Sequence, residues 1–181
     1  MQICNGIIRT PARDCCRLYE LKKRNVSKDM HKLLFICHGN ICRSPMAEFI
    51  MKDLLEKKDL SSLFEVASAA TSSEELGNPV YPPAKRLLNE HGIDCSGKRA
   101  CRLNKTDYDK YDLLIIMDLE NKRYMSRLFP DDSSKKIHLL REYCGDDKEI
   151  DDPWYTGDFQ GVYEQIREGC TALLSYLLEQ K

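Results

Sequence analysis

Long apolar runs are missing from this chain of 181 residues, and no stretch of it is long enough to span a bilayer. An excess of charge of one sign is missing too. The formal net charge is −1, so nothing draws the chain as a whole to nucleic acid or to an anionic membrane. The first thirty residues lack the apolar segment of a secretory leader. The nine cysteines include no Cys-x-x-Cys pair, which argues against a zinc ribbon or a thioredoxin-type motif. No group of His, Cys, Asp and Glu has metal-ligand spacing, so neither a metal nor another cofactor is expected. Internal repeats and low-complexity tracts are absent, and there is one tryptophan. What remains is ordinary globular composition, with length for one full core. The thiols read as mostly buried and inert in a reducing, cytoplasmic compartment.

Residues 1–30 differ from the rest. Seven basic residues face three acidic ones there, a balance of +4, which leaves −5 for residues 31–181. Large apolar residues are few and helical periodicity is weak. The segment reads as a basic N-terminal extension, flexible or non-native, before a domain over 31–181 whose natural start is Met30. A basic arm is the other reading.

From residue 32 strands and helices alternate. "KLLFIC", "LFEVASAA", "YDLLIIMD" and "KIHLLRE" read as strands, and "PMAEFIMKDLLEKK", "PPAKRLLNEHG", "LENKRYMSRLF" and "FQGVYEQIREGCTALLSYLLEQ" as helices. "YCGDDKEIDDPWYTGD" reads as a long loop. This order predicts an α/β fold: one domain with a four-stranded parallel sheet covered by helices on both faces. Ligands bind such sheets at the carboxyl ends of the strands.

"CHGNICRSP", Cys37 to Pro45, lies at such an end. A curled loop of backbone N–H groups that runs into a helix N-terminus makes an anion site. Ser44 is the natural N-cap, with Pro45 in the first turn. Gly39 and Asn40 tolerate the left-handed conformations a curl requires. Arg43 supplies a fork matched to phosphate oxygens. The field that binds an oxyanion also stabilises a thiolate, which makes Cys37 the expected nucleophile. The loop lacks the G-K-[ST] ending of a nucleotide-binding loop.

"ICHGNICRSPMAE" resembles the signature of the low-molecular-weight protein tyrosine phosphatases. The resemblance extends over about residues 31–180 and includes "VASAAT", "IIMD" and "DDPWYTGDF". It implies hydrolysis of phosphotyrosine, an aryl phosphate monoester, through a phosphocysteine. Cys37 is then the nucleophile, Arg43 the phosphate clamp, and His38, Gly39, Asn40, Ile41, Cys42 and Ser44 the rest of the phosphate loop. Asp152, in the Asp-Pro-aromatic motif, becomes the general acid and then the base, with Asp151 its competitor by composition. Asn40 and Ser68 would hold the loop open, and Asp118 would support it from a strand end. Trp154 and Tyr155 would form one wall of the substrate pocket. On the opposite wall, where the family often has an aromatic residue, this chain has Glu74. His38 reads as rim. The partners implied are a phosphotyrosine protein or peptide, and inorganic phosphate or another oxyanion as inhibitor. Cys42 also reads as a redox partner that captures oxidised Cys37 as a disulfide.

Three alternatives stay open. An arsenate reductase on the same scaffold needs two relay cysteines after the third strand, where "MDLENKRYMSRLF" has none. A protein-arginine phosphatase of this type carries threonine where this chain has Ile41. A module that binds phosphotyrosine without turnover is opposed by the joint presence of Cys37, Arg43 and Asp152.

Overall fold

The run "LLFIC" has no polar face to offer water, and Leu33 to Cys37 are all buried. Such a strand needs cover on both sides. The structure, a computed structural model, describes residues 30–179. The expected extension over residues 1–30 therefore lies outside the described residues, apart from Met30.

Along the chain lie β1 (His31–Cys37), α1 (Arg43–Lys57), a 3-10 turn (Ser61–Leu63), β2 (Phe64–Ala70), α2 (Pro82–Glu90), α3 (Asp107–Lys110), β3 (Leu113–Ile116), α4 (Leu119–Leu128), β4 (Ile137–Leu139), a second 3-10 turn (Leu140–Cys144), α5 (Pro153–Thr156) and α6 (Phe159–Glu179). The strands form one parallel sheet in the order β2-β1-β3-β4. Alternate residues of β1 serve opposite faces. Leu34 and Ile36 pack with Leu114, Ile116 and Met125, which covers one face with α4. On the other side, α1 packs on β1 and β2 and is backed by α6. Each fully buried Leu, Ile or Phe contributes about 1.5–3 kcal/mol.

β1 connects to β2 on one side, while β3 lies on its other side, so the chain reverses its winding at the carboxyl end of β1. That reversal opens the crevice in which open α/β sheets bind ligands. In register, Cys37 is opposite Ala70, and Ile36 is opposite Ile116. The residues that follow these strands therefore meet at one edge.

Beyond short α3, which the sequence reading did not include, the chain departs from it in two further elements. β4 stops at Leu139 rather than Glu142, because Leu140–Cys144 coil into a 3-10 turn that Gly145 ends in the left-handed conformation. Buried Arg141 within that turn is held by Asp146 and Glu168. The long late loop also contains a helix, α5, capped by Asp152, opened by Pro153 and ended by left-handed Gly157.

Candidate active site

Cys37 is the last residue of β1, and the chain curls over the next five residues before α1 begins. Asn40 takes φ 58°, the left-handed conformation that asparagine tolerates. Gly39 does not have that conformation. Its place is a tight one, since a Cβ there would meet Glu75 Cγ at 3.1 Å. Ser44 is not the N-cap: Cys42 holds that place with no side-chain cap. The Ser44 hydroxyl turns inward instead, where its oxygen lies 3.0 Å from Cys37 Sγ and accepts from Asn40 Nδ2 at 2.8 Å. A buried tertiary partner has won over the local capping preference. The Asn40 N–H donates to Cys37 Sγ at 3.3 Å, so the sulfur faces two donors or potential donors.

Several hydrogen bonds tie the loop to the rest of the edge. Asn40 Nδ2 donates to Ser68 Oγ at 2.8 Å, and Asn40 Oδ1 accepts from the Cys101 N–H at 3.1 Å. Thr71 and Ser72, just after β2, donate their N–H groups to the carbonyls of Cys37 and His38.

Arg43 is buried, 3% exposed, and anchored by three acceptors. Its Nη1 donates to Asp118 Oδ2 at 2.5 Å and to the Ile150 carbonyl at 3.0 Å, and its Nη2 donates to Asp152 Oδ2 at 2.5 Å. Burial pulls the guanidinium pKa down, but Cys37, Asp152 and Asp118 together outweigh it and raise it. Asp118 N-caps α4 with its other oxygen, which accepts from the Asn121 N–H at 2.6 Å. Asp152 likewise caps α5, with Oδ1 accepting from the Trp154 N–H at 3.0 Å. Pro153 keeps Asp152 extended, at φ −85° and ψ 112°. Both carboxylates thus spend one oxygen on a helix end and the other on Arg43.

Cys37, Arg43 and Asp152 open onto a cleft of about 160 Å³. Cys37, Cys42 and Arg43 form its floor with Asp152, while Glu74, Glu75, Trp154 and Tyr155 stand around it. Trp154 leans on Tyr81, ring centres 5.0 Å apart, and Tyr81 leans on Phe159 at 5.8 Å. Tyr155 is 85% exposed and forms an outer lip rather than a packed wall. Glu74 accepts or shares a proton with rim residue His38 at 3.1 Å. Cys42 is buried, and burial first, then neighbouring Cys37, pushes its thiol pKa up. Asp151 is exposed and is not among the lining residues.

Tyr81 and Glu75 were not legible as site residues, nor was Lys98, which pairs with buried Glu48 of α1 at 2.8 Å behind the loop. Tyr81 precedes two prolines that open α2, a signal for a fixed helix entry, but nothing local aims its ring at Trp154. Among the described residues no group of three or more His, Cys, Asp and Glu is placed to hold a metal ion.

A family model described as low molecular weight phosphotyrosine protein phosphatase matches residues 32–181. Low molecular weight protein-tyrosine-phosphatase YfkJ of Bacillus subtilis is 36% identical over 154 residues, 84% of this chain and 99% of the relative. The crystal structure of YfkJ superposes with a TM-score of 0.82 at 35% identity, covering 86% of this chain and 99% of that one. PtpA of Staphylococcus aureus, also named a low molecular weight protein-tyrosine-phosphatase, is 32% identical over 83% of this chain and 96% of its own length. A drosophila arginine phosphatase is similar too, with a TM-score of 0.73 and 32% identity, covering 81% of this chain and 97% of its own. The chain belongs to the low-molecular-weight protein tyrosine phosphatases, a family of cysteine-dependent hydrolases.

Proposed function

We propose that this chain hydrolyses phosphotyrosine in proteins or peptides, with Cys37 as nucleophile, Arg43 as phosphate clamp and Asp152 as the proton carrier. The observation that supports this best is the position of the Cys37 sulfur. It sits at the bottom of the cleft, within 3.3 Å of the Asn40 N–H and 3.0 Å of Ser44 Oγ, with Arg43 and Asp152 beside it.

The substrate phosphate enters the curl of residues 38–43 and takes the Arg43 Nη2 edge that Asp152 holds in the free pocket. Asp118 and the Ile150 carbonyl keep Nη1, so the guanidinium plane stays fixed while its partner changes. Cys37 attacks phosphorus in line as the ester oxygen leaves, and Asp152 gives that oxygen its proton. A water then attacks the phosphocysteine. Asp152 takes its proton, phosphate leaves and the thiolate returns. The donors around the transferring group stabilise the transition-state charge without rearranging.

Trp154 and Tyr155 favour a flat phenyl ring over a short alkyl chain. Glu74 and Glu75 opposite favour basic residues flanking the phosphotyrosine. Inorganic phosphate and other oxyanions compete for the same curl. The domain that performs this begins near Met30. A cytoplasmic location is the reading that the described cysteines favour, since all six are free thiols.

The experiment is phosphate release from peptides carrying phosphotyrosine, phosphoserine or phosphoarginine, with wild type and Cys37→Ser. Release from phosphotyrosine alone, lost in Cys37→Ser, is the expected result. Preferential release from phosphoarginine would move the assignment to the protein-arginine phosphatases. Binding with no release in a single turnover would make the chain a capture module.

A further inference from the structure

Substrate binding takes from Asp152 the contact that fixes it in the free pocket. Once phosphate holds the Nη2 edge of Arg43, nothing on that guanidinium positions Asp152 Oδ2. Upstream, Ile150 stays on Met117 and on Arg43 Nη1 through its main-chain atoms. Downstream, Asp152 Oδ1 stays on the Trp154 N–H at 3.0 Å, so the direction of the carboxyl follows Trp154. Trp154 is 54% exposed and belongs to a helix of four residues, too short to hold a direction unaided. Whatever fixes Trp154 therefore fixes the proton carrier.

The ring against Trp154 is that of Tyr81, with centres 5.0 Å apart and planes at 56°. Tyr81 comes from another part of the chain, the connection between β2 and α2, and its backbone is firmly placed. Its N–H donates to the Ile41 carbonyl of the phosphate loop at 2.9 Å, and its carbonyl accepts from the Lys85 N–H at 2.9 Å. Pro82 keeps it extended, at φ −56° and ψ 135°. The ring packs on the cluster of Ile41, Cys42 and Ala100, and it also meets Phe159, the first residue of α6, at 5.8 Å. Tyr81 thus touches the chain on both sides of the turn at Gly157, in α5 through Trp154 and in α6 through Phe159. It also occupies the N-cap place of α2 without making a side-chain cap, where a short polar residue would satisfy the helix end. A local preference has been set aside, as happens where a side chain serves a site. Tyr81 is not among the residues that line the cleft.

We propose that Tyr81 is a positioning residue for the proton carrier. Its ring holds Trp154, and through the Trp154 N–H the Asp152 carboxyl, in place once phosphate has displaced Asp152 from Arg43. Oδ1 is kept on Trp154, while Oδ2, released by Arg43, gives its proton to the ester oxygen as the bond from that oxygen to phosphorus breaks. Because the Tyr81 N–H is bonded to the loop that binds the phosphate, the proton donor and the phosphate share one frame. Proton transfer needs the two heavy atoms within hydrogen-bond reach, so a small drift of α5 is enough to lose it. Tyr81 touches no reacting atom and acts only through Trp154.

This inference rests on Asp152 being the proton carrier. A poor leaving group needs its oxygen protonated, and a good one needs it much less. The test therefore compares kcat/KM for phenyl phosphate, which has a poor leaving group, with that for 4-nitrophenyl phosphate, which has a good one. Both rings meet the same wall, so the ratio of the two values cancels any loss of ring binding at Trp154. Tyr81→Ala should lower kcat/KM by about 10–10²-fold for phenyl phosphate, the scale of a displaced rather than a removed general acid, and only a few-fold for 4-nitrophenyl phosphate. Tyr81→Phe keeps the ring and should restore the wild-type ratio. The rate of Cys37 alkylation by iodoacetate should not change in Tyr81→Ala, because the tie from residue 81 to the phosphate loop is a main-chain bond. In an Asp152→Asn background, Tyr81→Ala should leave the ratio where Asp152→Asn has already put it, since both act on one proton transfer. Equal losses on the two substrates, a skewed ratio in Tyr81→Phe, an altered alkylation rate, or a further change of ratio in the double variant overturns the proposal. If Tyr81→Ala does not fold, Tyr81→Leu keeps apolar bulk over Ile41 and Cys42 without the flat face, and the same comparison decides. A ratio unmoved by Asp152→Asn itself would instead sink the acid assignment, and the two failures stay distinct.

Discussion

Arg43 and Asp152, 109 residues apart in the chain, meet at 2.5 Å across the floor of the pocket, clamp against acid. An arriving phosphate has to separate them, so the guanidinium must hold its plane while it changes partner. Arg43→Lys keeps the charge and loses the fork, since an ammonium cannot reach Asp118, Ile150 and phosphate in fixed directions. We expect kcat/KM for a phosphotyrosine peptide to fall by about 10²–10³-fold, the scale of one lost transition-state donor. Vanadate affinity should fall with it. Wild-type kinetics in Arg43→Lys would show that charge alone suffices.

Asp152 has a second duty as the cap of α5, and the two can be separated. Asparagine still caps a helix but cannot carry a proton. Asp152→Asn should therefore melt within a few degrees of wild type and yet hydrolyse aryl phosphate about 10²–10⁴-fold more slowly. Asp151→Asn should change neither. Damage confined to Asp151→Asn would reassign the acid.

Acid titration should read out Glu48. Its folded pKa lies below the ordinary 4.5, so its stabilisation is complete above the unfolded value and is lost as pH falls through the folded one. The melting-temperature gap between wild type and Glu48→Gln should hold from pH 7 to about 5 and close below about 4.5. A gap that stays constant down to pH 3 would mean the carboxylate charge contributes nothing.

Mild peroxide should inactivate the enzyme reversibly. Cys37 thiolate attacks the peroxide, giving a sulfenic acid and hydroxide. The Cys42 sulfur then displaces the sulfenic hydroxyl, which leaves as water, and a disulfide remains. Burial holds Cys42 as a thiol, which makes this second step slow, and bound phosphate should protect. Dithiothreitol should restore wild type, whereas Cys42→Ser should be lost irreversibly at the same dose. Peptide mapping that joins Cys37 to Cys95, Cys101 or Cys144 instead would point to a thiol relay.

A chain beginning at Met30 should keep both kcat/KM and melting temperature. Loss of either would show that residues 1–29 contribute to the domain or to the pocket.

Spacing along the chain reveals what one loop can organise. Cys37, Asn40 and Arg43 were readable because they share a single strand-to-helix turn. The resemblance, not the spacing, pointed to Asp118 and Asp152, whose contacts with Arg43 bridge 75 and 109 residues. Lys98 carried no signal, since a lysine in a polar stretch looks solvated until Glu48 is placed beside it. Ser44 was misread as a cap because capping is a local preference, and the thiol that overrides it comes from another element. Helix α5 left better traces, an Asp-Pro start and a glycine stop, but four residues are too few for periodicity to register.

Ile150 links the sheet to the clamp. Its N–H donates to the Met117 carbonyl at the end of β3, and its own carbonyl receives Arg43. The acid two residues later is therefore hung from the sheet by main-chain atoms of a residue whose side chain is buried in the core. The stretch 145–149 upstream is pinned too, by Asp146 on buried Arg141 and by Glu149, which accepts from the Leu119 N–H at 2.9 Å. An insertion between those two anchors should leave the acid in place, so a recognition tag could be spliced into this enzyme beside its active site at little cost to turnover.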